Sequence, residues 1–185
     1  MSAREGIPPD EVERKTKSMK VSAYVLILSV ALIGMSAGSR KAKPTVGVNP
    51  GDLAPGIELS GNGPEVGFRN QSGRYTLLNF WAAYDAESRA RNVRLANEVS
   101  KWDPERISLC SISLDERESI FAETVRMDGL NPSTQFHEEA DKRSAMCERF
   151  GLEKGFRNFL IDDEGVIVAA NVTPERLTEI LSERN

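Results

Sequence analysis

The chain has 185 residues, 39% of them apolar and 28% charged, with 14 glycines and 9 prolines. That excludes a disordered or collagen-like bulk and, at about 150 residues per domain, points to one folded domain plus a shorter segment. Two cysteines and one histidine exclude a disulfide scaffold, a four-cysteine zinc site and every multi-histidine metal centre. Residues 1–49 hold 8 basic and 4 acidic side chains, net +4, and residues 50–185 hold 16 and 24, net −8, a balance unsuited to nucleic acid, whose binding rests on neutralising phosphates.

Residues 1–20 form a basic N-terminal segment. From Val21 to Ala37 there are seventeen residues without a charge, preceded by Arg14, Lys15, Lys17 and Lys20, an arrangement that keeps the N-terminal side in the cytoplasm. Residues 21–39 therefore read as a signal peptide, cleaved at Ala37-Gly38-Ser39, or as a retained membrane anchor. A buried core helix is disfavoured because basic residues flank both ends. In either case the remainder is exported, periplasmic or anchored facing the periplasm, and touches the membrane only through this segment. Residues 40–50 read as a linker with Pro44, Gly47 and Pro50, and 51–185 as the folded domain.

Ile57 to Phe68 suggests a hairpin turning at Gly61-Asn62-Gly63. Tyr75–Trp81 and Ile107–Leu114 are near-continuous apolar, β-prone runs, as for strands buried on both faces. Between them Asp85 to Lys101 reads as a helix with Ala86, Ala90, Val93, Ala96 and Val99 as its apolar stripe. A second helix is expected from Asp115, capped by its side chain with Glu118 reaching back, to Gly129. A third spans Glu138 to Phe150. Asn158–Asp162 and Val166–Ala170 flank Asp163-Glu164-Gly165, a strong hairpin signal. Thr173-Pro174 then opens a last helix with Leu177, Ile180 and Leu181 inward. The order predicts an α/β fold with a mixed central sheet and helices on both faces.

The segment Asn79-Phe80-Trp81-Ala82-Ala83-Tyr84-Asp85-Ala86-Glu87-Ser88-Arg89 resembles the thioredoxin-like thiol–disulfide oxidoreductases of the bacterial envelope (the TlpA-like branch), where it reads Asn-Phe-Trp-Ala-Thr-Trp-Cys-x-x-Cys-Arg. Gly51-Asp52-Leu53-Ala54-Pro55, Ser111-Ile112-Ser113-Leu114-Asp115 and Asn158-Phe159-Leu160-Ile161-Asp162 match further family segments in order. The resemblance implies a thioredoxin-like fold over about 50–185. It also puts Asp85 and Ser88 where the family has its redox cysteines, and Phe156 where it has its cis-proline. A carboxylate is a poor sulfur-directed nucleophile and a serine without a nearby histidine is not activated, so the expected function is a redox-inactive binding or accessory module of the envelope, with no cofactor. Its partner would be an envelope protein or peptide. The alternatives are a thiol–disulfide oxidoreductase using Cys110 or Cys147, and a purely structural docking domain.

Two roles are open for the former redox site. Asp85 serves as a simple helix cap, or Trp81, Tyr84, Asp85, Ser88 and Phe156 line a binding surface; Trp81 packed under the loop and Phe156 as ordinary loop packing are the alternatives for those two. A metal site from Asp85, Ser88 and His137 has no ligand spacing behind it, so no metal is expected. Cys110 and Cys147 are either buried free thiols or a strand-to-helix disulfide closing a loop of about 37 residues. His137 is expected at the surface near a strand end, and Phe156 partly exposed with a trans peptide.

Overall fold

Tyr75–Trp81 (β3) and Ile107–Ser113 (β4) are the centre of the domain because nearly every residue in them is apolar or small. A strand with helices above and below needs such a run. The computed structural model describes residues 43–59, 65–66, 68 and 73–183. Two short strands, Ile57–Glu58 (β1) and Glu65–Val66 (β2), pair antiparallel; the turn expected at Gly61–Gly63 lies outside the described residues. The remaining elements are helix α1 (Ala86–Val99), helix α2 (Glu118–Met127), strand β5 (Gln135–His137), helix α3 (Ala140–Phe150), strands β6 (Asn158–Ile161) and β7 (Ile167–Ala170), and helix α4 (Pro174–Glu183).

The main sheet has the order β5-β4-β3-β6-β7. Strands β3, β4 and β5 run parallel, and β6 and β7 return antiparallel beside β3, so the sheet is mixed as expected. Side chains alternate across it. Leu78, Phe80, Ile112, Phe159 and Ile161 meet Met146 and Phe150 of α3 on one face. Leu77, Leu109 and Leu160 meet Leu95 of α1 and Leu177 and Leu181 of α4 on the other. Phe80, Phe150 and Phe159 form an aromatic centre, with ring centroids 4.9 and 6.4 Å from Phe80.

Several expectations are corrected. The inward face of α1 carries Ser88, Asn92 and Leu95, while Ala86 and Ala90 are exposed. Asn92 is tolerated inside because its amide accepts from Asn79 at 3.1 Å and donates to Gln135 at 2.9 Å, and Ser111 donates to it at 2.5 Å; buried polar groups persist when they are hydrogen-bonded. Helix α2 starts at Glu118, with Arg117 at its N-cap and no side-chain cap, because the Asp115 carboxylate is engaged elsewhere. Strand β5 was not expected as an element; it holds by parallel pairing to Ser111, Ile112 and Ser113. The start of the expected domain is bonded to the sheet, Gly51 N–H donating to Ile167 O at 2.8 Å, and the linker residue Gly47 donates its N–H to Leu53 O at 3.0 Å.

The helix ends obey the expected chemistry. Gly129 (φ 63°) follows α2, and Gly151 (φ 61°) caps α3, both in the left-handed region that glycine enters without strain. The Asp162 carboxylate accepts from Glu164 and Val166 N–H at 3.1 and 2.9 Å, which pins the β6–β7 turn. The Thr173 hydroxyl accepts from Arg176 N–H at 3.3 Å at the start of α4.

Candidate functional site

Strand β3 hands over to helix α1 through Ala82–Asp85, and this junction is fixed from two sides. On one side, Asp85 is the N-cap of α1: its carboxylate accepts the Ser88 N–H at 2.7 Å. The bonds from Ser88 hold that carboxyl below its usual pKa, as expected for a charged acceptor among free helix N–H groups. The Ser88 hydroxyl donates to Asp85 O at 3.2 Å and accepts from Ala82 N–H at 3.3 Å. On the other side, Asp115 reaches across from the end of β4. Its oxygens accept the Ala83 N–H at 2.9 and 3.0 Å, and one also takes the Ser113 hydroxyl at 2.8 Å. His137 adds a contact from Nε2 to Asp115 O at 2.9 Å and stacks on Phe121 at 5.6 Å.

The structure divides the five expected surface residues. Trp81 is fully buried and clusters with Val125 and Leu130. It belongs to the same strand face as Leu77, so it supports the junction from below and contacts no solvent. Ser88 is only 1% exposed, because its hydroxyl folds back to close the first turn of α1; it too is removed from the binding surface. Tyr84, Asp85 and Phe156 remain. Tyr84 is 73% exposed and its ring lies 6.1 Å from that of Phe156. Phe156 is half-buried, packed on its inner side against the aromatic core, and the described residues contain no cis peptide.

Arg91, to which sequence reasoning gave no role, ties Phe156 in place. Its guanidinium donates to Phe156 O at 2.8 Å and reaches Phe80 O at 3.4 Å. Phe80 N–H in turn donates to Arg157 O at 3.0 Å. A cleft of about 720 Å³ opens here. Its walls are the first turns of α1, the loop 154–157, and the β7–α4 turn 171–175. That turn is braced by Asn158, whose side chain accepts Val172 N–H at 2.8 Å and donates to Val172 O at 3.1 Å. Asn171 sits at φ 54° with its N–H on Asn158 O at 2.8 Å, a left-handed position that asparagine fills more readily than most residues. A second cleft of about 480 Å³ lies beyond Tyr84, bordered by Asp115, Arg117 and Arg143.

The two cysteines are free, which corrects the disulfide alternative. Cys110 is buried in β4, and burial pushes its thiol up to about 12. Cys147 is half-buried on α3, and burial followed by the charge of Glu153 raises its thiol too. Among the described residues no group of three or more His, Cys, Asp or Glu side chains is placed to hold a metal ion. No described helix is long and apolar enough to cross a membrane; residues 21–39 lie outside the described set. Sequence reasoning missed Asp115 as the clamp of the junction. The available signal was its place directly after a fully buried strand, two residues past Ser113.

A parallel β3–α1–β4 unit, an antiparallel β6–β7 return and a strand-to-helix junction with its open face beside the loop before β6 define a thioredoxin-type α/β domain. The chain belongs to the thioredoxin-like family: it is 66% identical to a thioredoxin-like protein from Parabacteroides distasonis, with a TM-score of 0.70, over 76% of this chain and 99% of that one. A thiol-disulfide oxidoreductase from Bacteroides fragilis is 30% identical over 64% of this chain and 84% of that one, with a TM-score of 0.50. The thioredoxin domain of a thiol-disulfide oxidoreductase from Bacteroides vulgatus shares the fold at 22% identity and a TM-score of 0.62, over 75% and 99%. No family model matches the chain, and no curated protein does.

Proposed function

We infer that this chain is an exported, redox-inactive thioredoxin-like module that binds a peptide or protein partner in the bacterial envelope. One observation carries the reading: the two positions where the family resemblance puts thiols hold Asp85 and Ser88, and both side chains are spent on closing α1. Thiol–disulfide exchange needs a thiolate and a resolving thiol within reach of each other. Cys110 is buried with its thiol raised, and Cys147 stands alone on another helix. The export segment at 21–39 and the bacterial neighbours support the envelope setting. The Tyr84–Phe156 pair beside the cleft supplies an apolar contact for an extended chain.

The test is insulin reduction with dithiothreitol, comparing the chain with thioredoxin and with its own Asp85→Cys plus Ser88→Cys variant. Negligible turnover by the unmodified chain is expected. Turnover matching thioredoxin and abolished by Cys147→Ser would instead establish the second reading, an oxidoreductase built on the half-buried Cys147, which the names of the Bacteroides neighbours favour.

A further inference from the structure

The domain carries net −8 over residues 50–185, yet the cleft beside Phe156 gathers four cations, Arg91, Arg94, Lys154 and Arg157. They come from two separate segments, so no local charge run explains the gathering. Three carboxylates, Asp85, Glu87 and Glu175, also border the cleft, so its lining is mixed, four cations against three carboxylates. Asp85 is bonded to the Ser88 N–H. Glu175 at the start of α4 is held below its usual pKa, first by the Thr173 hydroxyl and in part by the nearby charge of Arg94. Glu87 sits in the first turn of α1, where it answers the helix dipole.

The cations divide differently. Arg91 is used on Phe156 O and Phe80 O, and Arg157 lies 5.0 Å over the Phe159 ring. Arg94 and Lys154 are exposed and make no hydrogen bond or ion pair among the described residues. They line the cleft from two different elements, one from α1 and one from the loop before β6. Two exposed cations without a hydrogen bond, on a cleft where cations outnumber carboxylates in a domain of net −8, suit a ligand that brings its own negative charge.

We propose that this cleft is a selectivity site for acidic peptides: an extended segment lays an apolar residue on Tyr84 and Phe156 and places Asp or Glu carboxylates between Arg94 and Lys154. The inference rests on the peptide-binding reading above and adds the chemistry of what is bound. Charge complementarity of this kind sets specificity and on-rate more than raw affinity, so the site should discriminate strongly by peptide charge while holding each peptide only moderately.

The experiment uses the 185-residue chain and fluorescence anisotropy of three short labelled peptides sharing one central Phe: one Glu-rich, one with every Glu replaced by Gln, one with Lys. The Glu peptide should bind about tenfold or more tightly than the Gln peptide at low salt. The gap should narrow toward 0.15 M, where the screening length is about 8 Å. Arg94→Glu with Lys154→Glu should abolish that preference while leaving the far-ultraviolet circular dichroism unchanged, since both residues are exposed. Tyr84→Ser should weaken all peptides alike. Equal affinity for the Glu and Gln peptides, both lost in Tyr84→Ser, would overturn the charge selectivity and leave the peptide groove standing. A Glu preference untouched by the double charge reversal would also overturn the site. Absence of binding by every peptide would overturn this inference and the peptide-binding reading together.

Discussion

Asp85 is the residue on which the redox-silent reading turns, and its capping role can be separated from any chemical role by two substitutions. Its carboxylate accepts one N–H of α1 at 2.7 Å; losing an N-cap acceptor to alanine costs about 0.5–2 kcal/mol, typically about 1. Asn keeps the acceptor and loses only the charge near the helix dipole, worth about 0.3–1 kcal/mol at an exposed end. Asp85→Ala is therefore expected to lower stability by about 1–1.5 kcal/mol, and Asp85→Asn by roughly half a kcal/mol. Buried Trp81 reports unfolding in urea. At about 1–3 kcal/mol/M, the alanine variant should shift the midpoint by roughly 0.3–1.5 M. The pH dependence has a definite sign. Bonds from Ser88 depress the folded-state pKa of Asp85, so the charge contributes stability above the unfolded value of about 3.9, and that contribution is lost as pH falls through the folded value. The gap between wild type and Asp85→Ala should thus be full at pH 7 and shrink in acid, while the gap between the asparagine and alanine variants stays constant. Equal losses for asparagine and alanine at neutral pH would refute the capping argument and assign the carboxylate to a bound cation or ligand.

Phe156→Ala removes a half-buried ring, and should cost about 1–2 kcal/mol in the same assay, below the roughly 3–5 kcal/mol of a fully buried phenylalanine; a loss in the upper range would make the residue core and remove it from the binding face. Asp115→Ala leaves the Ala83 N–H and Ser113 hydroxyl without their acceptor, a loss of about 1–3 kcal/mol. Asp115→Asn, which retains one acceptor oxygen, should lose less, and the reverse order would contradict the clamp. With Ellman's reagent at pH 8 the native chain should show one slowly reacting thiol, Cys147. Cys110, whose thiol burial pushes up to about 12, should react only on unfolding, and two thiols titrating at equal rates would contradict its burial.

What the sequence revealed was whatever local chemistry decides. Strands β3 and β4 declared themselves by near-continuous apolar, β-prone runs, the β6–β7 turn by Asp163-Glu164-Gly165, α4 by Thr173-Pro174, and the cap of α1 by an aspartate before a periodic segment. The failures were non-local. Strand β5 is three residues, Gln-Phe-His, too short and polar to show alternation, and it exists because β4 offers it a parallel partner. Along α1, Val93, Ala96 and Val99 pack inward as the stripe predicts, but Asn92 looks like a solvent residue until Asn79, Ser111 and Gln135 are brought to it from three strands. Trp81 is open in the sequence between the binding surface and packing under the loop, and the alternation along β3, which sets it with Leu77 on an inward face, decides for packing. Tyr84, Asp85 and Phe156 came from the family resemblance. The cationic cleft could not be read, since its walls are brought together only by the folded sheet.

The junction between β3 and α1 also explains how a thioredoxin-type domain could keep its recognition face without its chemistry. The first turn of a helix exposes N–H groups and a partial positive charge that favour any anion. A thiolate meets that demand reversibly, and an aspartate meets it permanently, so replacing one with the other leaves the helix satisfied. Asp85 borders the adjoining cleft, but the loops that form its other walls take no hydrogen bond from residues 85 and 88. Phe156 is held by Arg91 from the second turn of α1, the loop before β6 by Phe80, and the β7–α4 turn by the two hydrogen bonds between Asn158 and Val172. On the proposed reading, sulfur chemistry and peptide recognition rest on different residues of the same fold, so that substitution at two positions removes the first and leaves the loops that serve the second in place.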